Sequence, residues 1–397
     1  MSIISKRISQ ISESPTLSIT AKAKKLQKEG IDIISFGAGE PDFDTPKNIK
    51  EAAKTALDKG LTKYTPTSGI KELKEAIIEK LKKENNLEYK EEEILISCGA
   101  KHSIFNAILT LVDEKDEVIL PSPYWVSYLE MIKIAGAKTI ILDTKKIDNF
   151  KIKPSDLKKS ISKNTKLLIL NSPSNPTGMV YKKEELIEIS KILVENGIFC
   201  ISDEIYERLV YDGIKYISIA SLGEDIKRNT VVINGFSKSY SMTGWRLGYA
   251  LARPEIIKAM SNLQDHSTSC PVSFAQYAAV SAFKEEEELK KMLIEFNKRR
   301  NYMVDKINSI KDISCIKPEG AFYCWVNIEK LFGKKIDGII IDSSLTLAEL
   351  LLTKARVAVV PGIAFGNDKY IRLSYATSLE NIIKGLDRIE DFINSLS

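Results

Sequence analysis

The chain has 397 residues, 44% of them apolar, and a net charge of +5 from 58 basic and 53 acidic side chains. That length exceeds the size at which one core usually divides, so two domains are expected. Lysines alternate with glutamates, which leaves no nucleic-acid footprint, and no apolar run approaches the ~20 residues of a membrane helix. Two histidines cannot build a histidine-rich metal site, and five scattered cysteines without a CxxC pair argue against a disulfide framework or a zinc site. The stretch MSIISKRISQISES lacks the apolar core of a signal peptide, so a cytoplasmic protein with reduced thiols is the expectation.

Residues 5–29 read as an arm broken at Pro15, then a lysine-rich helix. Residues 31–36 make a short strand that runs into the turn-rich GAGEPDF, residues 37–43. An amphipathic helix is expected over 48–59, the loop KYTPTSG over 63–69 and a second helix over 70–83. Strand 94–97 leads through Cys98-Gly99-Ala100-Lys101 into a helix carrying Ile104, Phe105, Ala107 and Ile108. A small-residue turn entering a helix exposes unpaired N–H groups at the positive end of the dipole, where a phosphate dianion binds well. Strand 117–120 is followed by PSPYW, ending in Trp125, and another strand is expected over 135–142. A helix over 154–161 and a buried strand over 166–170 precede NSPSNPTG, whose Asn175-Pro176 pair is also an ordinary turn former.

A helix over 183–196 and strand 199–202 lead to Asp203-Glu204-Ile205-Tyr206. A carboxylate at that strand end can pair with a protonated pyridine nitrogen, and a buried aspartate beside a cation keeps its charge; a helix N-cap is the plain alternative. Val231-Val232-Ile233 forms a strand, followed by a short turn, Lys238, Arg246 and a second apolar segment over 247–252. A lysine partly desolvated at the mouth of a strand has a lowered pKa and a nucleophilic amine suited to Schiff-base chemistry. An arginine nearby can hold a phosphate bidentately. Together they suggest a pyridoxal-phosphate site.

Helices over 256–262 and 273–283, a long charged helix over 284–310, and a final region of strands (323–326, 357–360, 370–374) and helices (344–354, 379–393) complete the chain. Arg372 sits within a strand; if buried, it needs an anion. The middle of the chain alternates strand and helix, and most candidate residues fall at carboxyl ends of strands, where ligands bind in open α/β sheets.

SKSYSMTGWRLGY closely resembles the cofactor-lysine segment of class I aminotransferases, pyridoxal-phosphate fold type I, with nearest likeness to the aspartate aminotransferase branch of bacteria and archaea. GAGEPDFDTP, YTPTSGIKELKEAI, NSPSNPTG, SDEIY and RLSYA resemble further segments of that family, from Ser5 to the end of the chain. The resemblance implies an α/β chain with a large, mainly parallel, seven-stranded sheet domain (45–285) and a smaller α+β domain (1–44 plus 286–397). It also implies a homodimer.

Carried over residue by residue, the resemblance makes Lys238 the lysine on the cofactor aldehyde and the general base and acid. Gly99 and the N–H groups of Ala100 and Lys101 hold the phosphate with Arg246, and Tyr64 reaches the phosphate of the other subunit. Trp125 stacks on the pyridine ring, Asp203 pairs with its nitrogen, and Tyr206 and Asn175 donate to its 3-oxygen. Arg372, Asn175 and the backbone at Gly39 dock the substrate α-carboxylate, and residues 266–271 approach the neighbouring subunit. The implied reaction is ping-pong transfer of the amino group of L-aspartate to 2-oxoglutarate. Gln264-Asp265-His266 offers no arginine for the distal carboxylate; in the subgroup that the chain resembles, a lysine at the Lys101 position can take that carboxylate, and Ser12-Glu13 stands where relatives acting on prephenate carry a basic residue, which speaks against that activity. An aminotransferase for aromatic or other amino acids, and a carbon–sulfur lyase or decarboxylase on the same fold, remain alternatives. A regulator on this fold would carry an added DNA-binding module, which is not expected here, and a dinucleotide-binding dehydrogenase would need a GxGxxG after an early strand.

Overall fold

The computed structural model describes residues 3–12 and 15–397. Seven strands form its main sheet: β1 (Ile94–Ser97), β2 (Glu117–Ser122), β3 (Lys138–Asp143), β4 (Thr165–Asn171), β5 (Phe199–Asp203), β6 (Thr230–Gly235) and β7 (Gly248–Leu251). They lie in the order β1-β7-β6-β5-β4-β2-β3. Every pairing is parallel except those of β7 with β1 and β6.

The central strands are apolar on both sides because both faces are covered. Leu167 and Ile169 of β4 pack into one cluster with the helix Ala100–Leu111, while Leu168 and Leu170 pack on the other face with the helix Lys183–Glu195. The same alternation divides Ile94 and Ile96 from Leu95 on β1. Parallel pairing aligns the carboxyl ends of β4, β5 and β6 along one rim, and Asn171, Asp203 and Gly235 end those strands.

A second, four-stranded sheet has the order Val360–Pro361, Tyr370–Ser374, Tyr323–Asn327, Ser314–Cys315, with antiparallel pairing throughout. The 24-residue helix Glu286–Ser309 buries Met292, Phe296, Met303 and Ile307 beneath it. Ile33, Ile34 and Phe36 join the same core, and Ile34–Ser35 pairs in parallel with Val357–Ala358. The segment before residue 37 is thus tied to the carboxyl-terminal third of the chain, and residues 37–44 cross to the main sheet's side.

Several expected elements differ in extent from what is observed; the helix expected over 344–354, for one, is α-helical only as Ser344–Leu350 before a π turn, Leu351–Ala355. The helix expected over 70–83 is α-helical only as Lys71–Lys80 and then widens into a π turn, Leu81–Asn85. The wider turn brings residues five apart together: Lys80 Nζ donates to Asn85 Oδ1 at 2.8 Å, and both side chains hold buried Glu207. The run 357–360 is not one strand. Val357–Ala358 serves the N-terminal pairing and Val360–Pro361 the four-stranded sheet, and all four residues from Val357 to Val360 are fully buried. The strand expected to start at Ala135 begins at Lys138, because residues 126–135 form a helix closed by Gly136 at φ 78°.

Among the described residues no helix is long and apolar enough to cross a membrane, and no cluster of three metal-ligating side chains occurs.

Candidate active site

Where the rims of the two sheets meet, a cavity of about 590 Å³ opens, inside the range of small-molecule sites. Gly39, Ala100, Lys101, Trp125, Asn175, Asp203, Tyr206, Lys238, Arg246 and Arg372 all line it. These residues come from seven separate segments, so their convergence is a product of the fold. Gly99 stands just behind. Its φ is 92°, and a Cβ there would come within 2.6 Å of Arg246 Nη2, so only glycine lets the arginine reach the start of the Ala100–Leu111 helix. That helix has no side-chain cap, and its first N–H groups have no acceptor within the helix. Tyr64 lies outside the cavity and is 90% exposed.

Lys238 sits three residues beyond the end of β6. Burial pushes its amine down to about 8; the carboxylate of Glu40 opposes the shift, while Arg372 and Arg246 add to it. Lys238 Nζ donates to the Gly39 carbonyl, and the ring of Tyr206 lies 5.9 Å away. Asp203 ends β5. Its Oδ2 accepts from Tyr128 Oη at 2.5 Å and its Oδ1 from the Ile205 N–H at 3.2 Å. Oδ1 thus caps the backbone of the turn while Oδ2 is held by Tyr128, and turns rather than a helix follow. Burial outweighs these bonds and the charge of Lys238, raising the carboxyl to about 6. With its pKa raised by burial, a cation beside the carboxylate is what would hold it ionised below pH 6, the condition expected from the sequence.

Arg372 is 2% exposed and has no carboxylate partner among the described residues. Nη1 donates to Asn175 Oδ1 at 3.1 Å and Nη2 to the Gly37 carbonyl at 3.0 Å, while Nε has no partner. The guanidinium lies between the rings of Tyr323 (4.3 Å) and Phe365 (5.1 Å). Tyr323 also shares a 2.8 Å hydrogen bond with Tyr206. Arg246 donates to the carbonyls of Thr243 (2.8 Å) and Cys98 (3.5 Å). The Lys101 ammonium stands 4.8 Å over the Trp125 ring, its pKa lowered by burial and by Arg246. With Lys24, five cations line the cavity against two carboxylates, Glu40 and Asp203. A concave site with that excess suits anions.

Sequence reasoning misses Tyr128, Tyr323, Thr243 and Glu40, all of which line the cavity or bond to residues that do. Gln264, in the segment without an arginine, is fully buried; it accepts from Ser97 and donates to the carbonyls of Thr67 and Ile96. Of the Ser12-Glu13 pair, Glu13 lies outside the described residues, and the Ser12 N–H donates to Glu130 at 3.2 Å.

The family model "Aminotransferase class I and II" matches residues 31–389. The chain belongs to that family. It is an aminotransferase, and its family depends on pyridoxal 5'-phosphate. The chain is 46% identical over 399 residues to the aspartate aminotransferase of Bacillus subtilis (strain 168), covering 99% of this chain and 100% of that one. The crystal structure of the aspartate aminotransferase from Rhizobium meliloti superposes with a TM-score of 0.96 at 40% identity over 100% of both chains. The aspartate aminotransferase from Thermus thermophilus with maleate superposes with a TM-score of 0.92 at 38% identity, over 98% of this chain and 100% of that one. The architecture is thus that of fold type I aminotransferases, with a large, mostly parallel seven-stranded sheet.

The residues present fit the cofactor. An uncapped helix N-terminus with Arg246 beside it suits a phosphate, a buried carboxylate that needs a cation suits a pyridinium, and an amine near pKa 8 suits an aldehyde.

Proposed function

We propose that this chain moves the amino group of L-aspartate to 2-oxoglutarate in two half-reactions that use one cavity in turn. The observation that carries this reading is Arg372: a buried guanidinium with an unpartnered Nε and no carboxylate, facing the same cavity as Lys238 and Lys101. Leaving such a charge unpaired is costly, and a substrate α-carboxylate would relieve it with a bidentate bond. Asn175, already bonded to Arg372 through Oδ1, steadies the guanidinium and offers its amide N–H groups to the cavity.

Pyridoxal 5'-phosphate, when bound, supplies an aldehyde that condenses with amines and a ring that accepts electrons from the adjoining carbon. The chain's residues do the rest. Ala100, Lys101 and Arg246 hold the phosphate, and Trp125 limits ring tilt. Asp203 keeps a proton on the ring nitrogen by its charge, and Tyr128 fixes the orientation of that carboxylate. Tyr206, bonded to Tyr323, offers its hydroxyl toward the 3-oxygen. Lys238 Nζ is the group placed to take the substrate α-proton and to hand it on, across the amino nitrogen, to the carbon that the cofactor would supply. An amine near pKa 8 is partly neutral at physiological pH, the state a base requires. Lys101 takes the distal carboxylate of a dicarboxylate donor; the Thermus relative was solved with maleate, itself a dicarboxylate.

The same reading assigns a homodimer, with Tyr64 completing the partner's phosphate site. Its exposed ring and the 3.4 Å contact of the Thr65 N–H with Cys270 Sγ place the loops 63–69 and 266–271 side by side on the surface. A second reading, transfer from aromatic donors, is favoured by an adjoining cavity of about 630 Å³. Phe105, Tyr124, Leu129 and Ile134 line it, and it shares Lys101 and Arg246 with the first.

The test is to mix the cofactor-loaded protein with L-aspartate and 2-oxoglutarate and measure oxaloacetate and glutamate. Formation of both, with parallel double-reciprocal lines, is expected. Turnover of tyrosine or phenylalanine but not aspartate would replace this reading with the second.

A further inference from the structure

Residues 37–41 are held at the cavity by few side-chain bonds. Behind them Phe36 is fixed between the Ala358 carbonyl (2.8 Å) and the Ser374 N–H (2.9 Å). Ahead of them Asp42 accepts from Arg299 at 2.7 Å, and Thr45 Oγ1 donates to the Ser241 carbonyl at 2.7 Å and accepts from Trp245 at 3.0 Å. Between these anchors lie Gly37-Ala38-Gly39-Glu40-Pro41, whose two glycines leave the backbone free to adopt many conformations. One side chain there reaches across: Glu40 Oε2 accepts from Thr243 Oγ1 at 2.7 Å.

That bond joins two short backbone segments on which three cations of the site rest. Lys238 donates to the Gly39 carbonyl, Arg372 to the Gly37 carbonyl and Arg246 to the Thr243 carbonyl. Each carbonyl fixes where its cation stands. If Glu40 and Thr243 separate, the carbonyls of 37 and 39 move away from Arg372 and Lys238 together, and the turn that aims Arg246 loses a tether.

We propose that Glu40 is a positioning residue of this site, setting the stance of Lys238, Arg246 and Arg372 through its hydrogen bond to Thr243. This rests on the proposal that the cavity holds pyridoxal 5'-phosphate and an amino acid. Glu40 has a second effect through its charge. The charged groups facing Lys238 are Glu40, Asp203, Arg246 and Arg372, and Glu40 is the leading attractive one. The other carboxylate, Asp203, is already engaged by Tyr128 and Ile205.

Three variants separate bond from charge: Glu40→Ala removes both, Thr243→Val removes the donor alone, and Glu40→Gln keeps an acceptor oxygen but no charge. Binding of pyridoxal 5'-phosphate to the cofactor-free protein is followed by absorbance, the bound band is titrated with pH, and KM for aspartate is measured. Glu40→Ala and Thr243→Val should each raise the cofactor Kd and the aspartate KM about 5- to 10-fold, within the range for losing one ordinary hydrogen bond. Glu40→Gln should restore both while lowering the pH midpoint of the band by about half a unit, because an attractive charge is gone. Wild-type cofactor Kd in Thr243→Val, an unrescued Kd in Glu40→Gln, or an unshifted midpoint in Glu40→Gln each overturns the role given to Glu40. Failure of the unaltered protein to take up the cofactor would instead overturn the reading of the cavity itself.

Discussion

The turn that follows β5 has two sides, and they treat charge in opposite ways. On the cavity side, Arg372, Arg246 and Lys238 rest on backbone carbonyls without a carboxylate partner bonded to any of them. On the far side, Lys80 is paired with Glu207, which also accepts from Asn85 and Asn234, each at 2.7 Å. Glu204 beside it accepts from Ser202 at 2.9 Å and Ser218 at 2.6 Å. The far side is deeply buried, whereas on the cavity side Arg372 is buried, Lys238 half-buried and Arg246 exposed. The far side satisfies its charges internally and so fixes the shape of the turn bearing Asp203 and Tyr206. The near side leaves its cations to be satisfied from outside, which is what a binding site does with them. Charge bonded within the chain marks scaffold, and buried charge short of partners marks the site.

The contrast breaks first at Lys238. Lys238→Ala should lower turnover by about 10⁴-fold or more, since neither nucleophile nor proton carrier remains, with the unfolding transition little changed. Steady-state assays alongside urea unfolding check both halves, and substantial remaining activity at equal purity would refute the assignment. Lys80→Met should do the reverse. Leaving Glu207 buried without its cation costs about 3–5 kcal/mol of stability, read as a lowered urea midpoint, while kcat of the folded fraction is retained.

Glu204→Gln sharpens the comparison through pH. Burial, and then the charge of Glu207, raise Glu204 from the ordinary 4.5 to about 7. A carboxyl raised on folding contributes stability that is complete below pH 4.5 and is lost as pH rises through about 7. The glutamine variant cannot lose it, so its advantage over the unaltered protein should be nearly absent at pH 4.5 and grow to on the order of 3 kcal/mol by pH 8. Unfolding curves at both pH values measure this; equal curves at pH 8 would show that Glu204 titrates normally. Lys101→Ala should have the smallest effect, cutting kcat/KM for aspartate about tenfold and leaving alanine nearly untouched. An equal loss for both would remove the distal-carboxylate role.

Much of this site is legible in the sequence, for a physical reason. Lys238 and Asn175 stand just beyond apolar strands and Asp203 ends one, and polar groups at strand ends must face a rim. Arg372 is legible because an arginine inside YIRLS is out of place unless it has an anion. Tyr128 is not legible. Its helix reads as ordinary apolar packing, and its bond to Asp203 spans 75 positions that only the sheet order brings together. Tyr323 lies in an expected strand, yet its place between Tyr206 and Arg372 depends on how the two sheets meet. Glu40 lies in a recognisable segment, but its partner Thr243 is 203 residues away. The π turn after Lys80 escapes sequence pattern because it serves Glu207, not the helix's own apolar face.

The central claim is amino-group transfer at Lys238. Its most direct test is a single half-reaction: cofactor-loaded protein mixed with excess L-aspartate and no keto acid, with oxaloacetate, ammonia and carbon dioxide measured together. About one equivalent of oxaloacetate per subunit, followed by arrest until 2-oxoglutarate is added, is the predicted result, as expected of a ping-pong enzyme. Continued release of ammonia or carbon dioxide without an acceptor would contradict it.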